Sequence, residues 1–164
     1  MSKRWAAEWL ADRPFIGQPK LNLFHKEMAA GEAPVHEPGL THHHWYVRTT
    51  FEVKEDTLGE GPAWLDITAD DYYKAYVNGT FVGQGPAQND SGRYYYNRLD
   101  VREALRPGRN AIAVHVYYQG LRNRAYNSAD FRQGLIAEIG AGERVLVKTD
   151  ETWKAIRGAD NRPG

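Results

Sequence analysis

An Asn-Gly pair between two stretches of β-forming residues is the feature that most constrains how this chain can fold. Tyr72–Val77 is rich in aromatic and β-branched residues, and Thr80–Gly83 resumes that character directly after Asn78-Gly79. Asn and Gly tolerate the positive φ values of a type I′ turn, whose twist matches that of two paired strands. The sequence therefore predicts a tight antiparallel hairpin here.

Similar short runs recur along the chain, separated by glycine, proline and aspartate. The further predicted strands are Trp45–Val53, Ala63–Ala69, Arg93–Leu99, Asn110–Tyr118, Leu135–Ile139, Glu143–Lys148 and Asp150–Lys154, with a turn over residues 140–142. Asp100 is expected to cap a short helical turn over Val101–Leu105. About eight short strands at this spacing are typical of an antiparallel sandwich or barrel.

The length of 164 residues suits one domain with a single hydrophobic core. We predict an irregular lead-in over residues 1–40, a β-sandwich domain over residues 41–156 and a flexible tail over residues 157–164. Trp5 and Trp9 lie one helical turn apart and give a hint of a short helix in the lead-in. We interpret the methionine start and the end soon after Trp153 as marks of a truncated or excised domain.

Charge and cysteine content exclude several classes of function. Basic and acidic residues number 21 each, so no net field favours a polyanion, and we expect neither nucleic acid nor a membrane as partner. The absence of cysteine excludes a disulfide, a thiolate metal site and a cysteine nucleophile. The charged first residues do not resemble a secretory signal, and no run approaches the roughly 20 apolar residues of a membrane span. We therefore expect a soluble chain in the cytoplasm.

The order of the predicted elements resembles a known family. Residues 73–83, a strand, Asn-Gly and a strand, are followed by residues 99–114, where Asp100-Val101 precedes Pro107-Gly108 and Asn110. This arrangement is similar to the galactose-binding-like jelly roll found in glycosidases. Together with residues 94–96, 133–139 and 149–154, it resembles the amino-terminal domain of bacterial α-L-rhamnosidases over about residues 45–154.

The resemblance implies an all-β fold, an antiparallel jelly-roll β-sandwich, without catalytic residues of its own. In that family the acid and base carboxylates lie on an (α/α)6 barrel that this chain is too short to contain. The implied role is that of an accessory domain of an α-L-rhamnosidase-like glycoside hydrolase. It would pack on the catalytic domain of the same parent protein or help to bind a rhamnose-containing or other glycan. Two alternatives are a free-standing lectin-like carbohydrate-binding module and a protein-interaction domain without a sugar site.

The residue types in two predicted loops, one after Gly83 and one after Gln119, suit glycan binding. Aromatic rings stack on the apolar faces of sugars, and arginine, asparagine and aspartate bond to hydroxyls. Core packing is the competing interpretation for each tyrosine, because alternation separates Tyr95 from its two neighbours. The carbohydrate-binding candidates are Asn89, Asp90, Arg93, Tyr94, Tyr96, Tyr118, Arg122 and Asn123.

No cofactor and no metal site are predicted. His42 and His44 would share one face of a strand, but no third ligand is evident, so polar histidines at a strand entrance are the favoured interpretation. The oxygen-rich run Gln88–Ser91 offers ligand types that calcium prefers, and structural calcium is the one ion left open.

Overall fold

The computed structural model describes residues 3–17, 40–59, 61–87, 89, 93–120 and 132–158. Within these ranges nine strands form two antiparallel sheets, with orders β4-β3-β6-β1-β9 and β5-β2-β7-β8. The strands are β1 His43–Val53, β2 Ala63–Asp70, β3 Tyr72–Val77, β4 Thr80–Gly85, β5 Asn97–Asp100, β6 Gly108–Tyr118, β7 Gly134–Ala141, β8 Arg144–Lys148 and β9 Lys154–Arg157. The predicted all-β sandwich is confirmed.

Alternation along the strands places the core between the two sheets. On β6, Ile112, Val114 and Val116 are buried, while the residues between them are only partly covered. Leu65 on β2 and Ile139 on β7 face them from the second sheet within one apolar cluster. Removing this apolar surface from water is the main term that favours the fold.

The predicted hairpin forms between β3 and β4. Asn78 has φ 51° and Gly79 has φ 84°, as a type I′ turn requires. The Asn78 amide also donates to Asn110 Oδ1 at 2.7 Å and to the Ala104 carbonyl at 2.9 Å, and Asn78 Oδ1 accepts from the Ala111 N–H at 2.9 Å. The turn therefore anchors the hairpin to the start of β6 as well as reversing the chain.

Two predictions at the chain's aromatic segments are wrong. Trp5 and Trp9 do not lie on a helix, because residues 3–12 run along the four-stranded sheet and their two indoles pack on tyrosine rings. Of the predicted strand Arg93–Leu99, only Asn97–Leu99 belongs to β5. The Tyr95 N–H donates to the Asn89 side chain at 2.7 Å, so a side chain occupies a position that a partner strand would take.

The last strand begins later than predicted. The Asp150 side chain accepts from the Thr152 N–H at 3.0 Å, which closes a turn, and the strand that follows is Lys154–Arg157. It pairs with β1 and forms one edge of the five-stranded sheet.

The amino-terminal segment 3–12 is tied to the outer face of the four-stranded sheet. Lys3 forms ion pairs with Asp66 on β2 and, at 2.7 Å, with Glu138 on β7, which are direct cross-strand neighbours. Farther along, Leu10 and Leu135 exchange two backbone hydrogen bonds of 2.8 Å. The segment therefore covers an outer sheet face that would otherwise expose carboxylates and backbone to water.

Asp12 joins three distant parts of the chain. Its carboxylate accepts from Arg157 at 2.6 Å, from the Arg13 N–H at 2.7 Å, and contacts His43 Nε2 at 2.8 Å. Burial works to raise the pKa of Asp12, but these hydrogen bonds outweigh it and hold the pKa below its ordinary value of 3.8. Asp12 thus fastens the amino-terminal segment to both β1 and β9.

Substituting Asp12→Asn is expected to lower the free energy of unfolding at pH 7 by about 1–3 kcal/mol, because a charged acceptor of several hydrogen bonds is lost. A carboxylate with a lowered folded-state pKa stabilises fully above its ordinary pKa and loses that effect as pH falls through the lowered one. Urea unfolding between about pH 7 and about pH 2 should show the difference from wild type shrinking below about pH 4. The exposed Asp56→Asn is the control, and a difference that stays constant down to the lowest pH would contradict this role.

Candidate functional site

The outer face of the five-stranded sheet carries two cross-strand rows of aromatic and polar side chains at one end. The strand registers place the members of each row directly opposite one another on neighbouring strands. The first row is His44, Tyr117 and Tyr72, and the second is Tyr46, His115, Lys74 and Gln84.

The rings of these rows form a stacked ladder across β1, β6 and β3. Ring centroids are 4.4 Å apart for Tyr46 and His115, 5.1 Å for His115 and His44, 4.6 Å for His44 and Tyr117, and 6.2 Å for Tyr117 and Tyr72. Neighbouring planes are within 27° of parallel. The shorter spacings match the separation of adjacent strands, so the rings pack side by side across the sheet.

Hydrogen bonds lock the ladder in place. His44 Nδ1 lies 2.8 Å from His115 Nε2, and His42 Nδ1 lies 2.7 Å from the Tyr117 hydroxyl. His42 and His44 therefore do share one face, as expected, but they contact ring neighbours. No group of three or more His, Cys, Asp or Glu side chains within the described ranges is arranged to hold a metal ion.

A groove of about 740 Å³ borders this ladder, which is within the usual size range of a small-molecule site. It lies where β4 ends at Gly85 and where Gln119 follows the end of β6. We call it the histidine-tyrosine groove; its lining residues are His44, Tyr72, Tyr73, Lys74, Gln84, Gly85, Pro86, His115, Tyr117 and Gln119. Aromatic surface and convergent amide, phenol and ammonium groups thus meet in one concavity.

The electrostatics of the groove keep its rings neutral near pH 7. Burial, together with the charge of neighbouring histidines, lowers the pKa of His44, and burial with His44 and Lys74 lowers that of His115. Burial and the nearby Asp71 carboxylate raise the pKa of both Tyr72 and Tyr117. The phenols therefore stay protonated and can donate hydrogen bonds to a ligand.

A second aromatic surface lies on the other sheet. Trp9 packs on Tyr94 with centroids 5.0 Å apart, and Trp5 packs edge-on against Tyr96 at 5.4 Å. Trp9, Tyr95 and Tyr96 remain 47%, 46% and 38% exposed. We call these five residues the aromatic patch; it is a broad surface held by the amino-terminal segment.

The structure separates the predicted carbohydrate-binding residues. Tyr94 and Tyr96 belong to the aromatic patch, and Arg93 is exposed near it. Asn89 is buried, with Oδ1 accepting from the Tyr95 N–H, so it supports the tyrosine run from beneath. Asp90, Arg122 and Asn123 lie outside the described residues, as do Gln88 and Ser91 of the suggested calcium run.

Tyr118 does not offer a stacking surface. Its side chain is fully buried and packs edge-on against Phe15, with ring centroids 5.0 Å apart. Tyr118 lies on the same buried face of β6 as Val114 and Val116, whereas Tyr117 faces outward into the groove. From Ile112 onward in β6, every second residue is apolar and buried, and continuing this alternation through the sequence identifies Tyr117 as the surface tyrosine.

The groove's other residues carry no comparable local signal. His44 and Tyr72 belong to strands far from β6 in sequence, and only the pairing of β1 and β3 with β6 brings them to Tyr117. Gln84 reaches the site because it pairs with Lys74 across the hairpin.

Comparison with known proteins supports both the β-sandwich fold and the resemblance to the α-L-rhamnosidase amino-terminal domain. The family model of the α-L-rhamnosidase N-terminal domain matches residues 61–162. The chain belongs to this family. A GH78 family rhamnosidase of Bacillus sp. GL1 superposes on the domain with a TM-score of 0.72 and 34% identity, covering 95% of this chain and 14% of that one.

Two further proteins show how much of a relative this domain matches. The α-L-rhamnosidase of Streptomyces avermitilis, solved with L-rhamnose, shares the fold at a TM-score of 0.54 and 22% identity, covering 98% of the domain and 14% of that chain. A β-galactosidase of Arthrobacter sp. (strain B7) is 37% identical over 73 residues, 43% of this chain and 7% of that protein. The domain therefore spans about one seventh or less of these relatives. Where the structure describes the chain, no helix is long and apolar enough to cross a membrane.

Substituting Tyr118→Ala is expected to cost about 3–5 kcal/mol of stability, as removal of a large buried aromatic side chain does. Tyr117→Ala is the matched control on the outward face and should cost about 1 kcal/mol, the worth of its ring contacts. Chemical unfolding of both variants measures the difference. Equal costs for the two substitutions would contradict the placement of Tyr118 inside and Tyr117 outside.

Proposed function

We propose that the domain is a non-catalytic accessory domain of an α-L-rhamnosidase-like glycoside hydrolase, and that it binds glycan in the histidine-tyrosine groove. The observation that carries the proposal is the concavity itself. It combines the partly exposed rings of Tyr72 and Tyr117 with the side chains of Lys74 and Gln84 in a space of about 740 Å³.

The chemistry of the groove suits a neutral sugar. Phenol hydroxyls, imidazole nitrogens and the Gln84 amide can donate to and accept from hydroxyl groups, and the aromatic rings supply apolar contact. No carboxylate lines the groove among the described residues, so the residues that line it bind rather than transfer protons from an acid to a base.

Two buried carboxylates elsewhere in the domain, Asp66 and Glu138, support a non-catalytic role because both are held by structural partners. Asp66 accepts two hydrogen bonds of 2.8 Å from Arg98 as well as its bond from Lys3, and these contacts keep its pKa low against the opposing effect of burial. Glycoside hydrolysis needs one carboxyl group that remains protonated as an acid, which a carboxylate held this way does not supply. Glu138 likewise accepts from Lys3 and from the Ala6 and Ala7 N–H groups.

The aromatic patch favours a second role for the same domain, which is packing against the rest of a larger enzyme. Tryptophan and tyrosine are enriched in protein interfaces, and here Trp9, Tyr95 and Tyr96 stand exposed on the outer side of the four-stranded sheet. Cation-π contacts of Lys3 with Trp5 and Tyr96 hold the rings before any partner arrives, so little side-chain entropy is lost on docking.

Titration of the chain with L-rhamnose, D-galactose and rhamnose-bearing oligosaccharides tests the glycan proposal, with two-dimensional NMR shifts as readout. Saturable shifts should map to β3, β6 and the end of β4. Tyr72→Ala and Tyr117→Ala should each weaken binding by about tenfold or more, equivalent to about 1.4 kcal/mol. Tyr95→Ala in the aromatic patch is the control and should bind as wild type does. Shifts that map to the patch, or no response into the tens of millimolar, would contradict binding in the groove.

Hydroxyl-radical footprinting tests the packing role. Trp9 and Tyr95 should be oxidised readily in this chain and protected in a longer rhamnosidase-like polypeptide that contains it, because an interface excludes solvent from its central rings. The exposed Phe81 on β4, which belongs to the five-stranded sheet and not to the patch, is the internal control. Equal oxidation of Trp9 in both polypeptides would rule out docking through the patch.

A further inference from the structure

The wall of the groove contains two imidazoles in direct contact. His44 Nδ1 and His115 Nε2 are 2.8 Å apart, so one of the two nitrogens carries the proton that the other accepts. Both rings are partly buried, and Tyr46 and Tyr117 stack on their outer faces. The position of the groove tyrosine Tyr117 therefore depends on the ring beside it, His44.

The number of protons on the two imidazoles decides whether they stay hydrogen-bonded to each other. With one added proton the pair is still joined, since an imidazolium N–H donates to a neutral nitrogen. With two added protons both facing nitrogens carry hydrogen, and they cannot remain 2.8 Å apart. The two positive charges then repel as well, in a site that is only partly open to water.

The surroundings favour the neutral pair. Lys74 on β3 stands opposite His115, and His42 and His43 directly precede His44 in the chain, so nearby groups add positive charge. β9 places the uncharged Ile156 opposite Tyr46. Other charged or titratable groups on the elements around the pair include Arg48 and Glu52 on β1, Arg109 on β6, Tyr72 and Tyr76 on β3, Asp71 before β3, and Lys154 and Arg157 on β9. Asp71 acts on Tyr72 and Tyr117 and accepts the Gln119 N–H at 2.7 Å.

We infer that the His44–His115 pair is a proton-operated latch on the groove: it holds Tyr117 in place when neutral or singly protonated, and it opens when doubly protonated. This inference rests on the proposed function, since the latch regulates glycan binding at that same site. Burial and like charge lower the pKa of both histidines, so opening belongs to mildly acidic conditions below the ordinary histidine value of 6.5.

The latch can be observed without any glycan. In the ¹⁵N-labelled chain, imidazole NMR signals of His44 and His115 should titrate in two separate steps between about pH 8 and about pH 4.5, as a coupled pair does. The ring signals of Tyr117 should move with the second step. The double variant His44→Asn/His115→Gln places amides where Nδ1 and Nε2 lie and cannot take up protons, so its Tyr117 signals should stay constant.

Binding supplies the second readout, with L-rhamnose or the oligosaccharide that responds in the titration as the probe. Wild type should lose about tenfold or more in affinity across the second step, whereas the double variant should bind with little dependence on pH. Asp56→Asn, an exposed substitution that leaves the pair and the groove intact, is the control and should behave as wild type does.

Each failure has its own signature. Independent titration of the two histidines, with Tyr117 unmoved, would overturn the latch whether or not a glycan binds. A coupled titration that moves Tyr117, in a chain that binds no glycan, would support the latch and contradict the glycan proposal. Binding that weakens in acid equally in wild type and the double variant would assign the pH effect to other groups and overturn the latch.

Discussion

The antiparallel pairing of β1 with β6 is the constraint on which the rest of the structure depends. Their register runs without interruption from His43 opposite Tyr118 to Val53 opposite Gly108. Because side chains alternate between the two faces of a sheet, this one register decides at once which residues enter the core and which face outward. It buries Trp45, Val47 and Val116, and it places His44, Tyr46, His115 and Tyr117 together on the outer face. A slip of one residue would exchange the two sets.

Both outer sheet faces are specialised, in different ways. The four-stranded sheet is covered by its own amino-terminal segment, whose Lys3 neutralises two neighbouring carboxylates and whose tryptophans build a broad aromatic surface with the tyrosines that precede β5. The five-stranded sheet has a concave region at its end, lined by aromatic rings and polar groups. A domain with one broad aromatic surface and one concave site can bind a neighbouring domain and a small ligand without competition between them. This division fits an accessory part of a larger carbohydrate-active enzyme.

Local sequence signals predicted most of the fold. Asn78-Gly79 fixes a turn because few other residue pairs accept its φ values, and the apolar alternation of β6 reflects burial of one face. Predictions failed where a contact from a distant segment replaced a local preference. Trp5 and Trp9 have a helical spacing, but tyrosines from residues 94–96 pair with them, and the tyrosine run itself is supported by the Asn89 side chain instead of a strand.

The sequence by itself determined most of the strands, the hairpin and the family, because turn chemistry, alternation and the order of elements can be read along the chain. The sequence also shows the alternation of apolar residues along β6, which distinguishes the buried Tyr118 from the outward-facing Tyr117. The tertiary structure alone decided the composition of the groove. His44 and His115 are 71 residues apart, and only the register of β1 on β6 brings their nitrogens within 2.8 Å. Cross-strand contacts of this kind depend on how distant segments pair, and no local pattern of residues encodes that pairing.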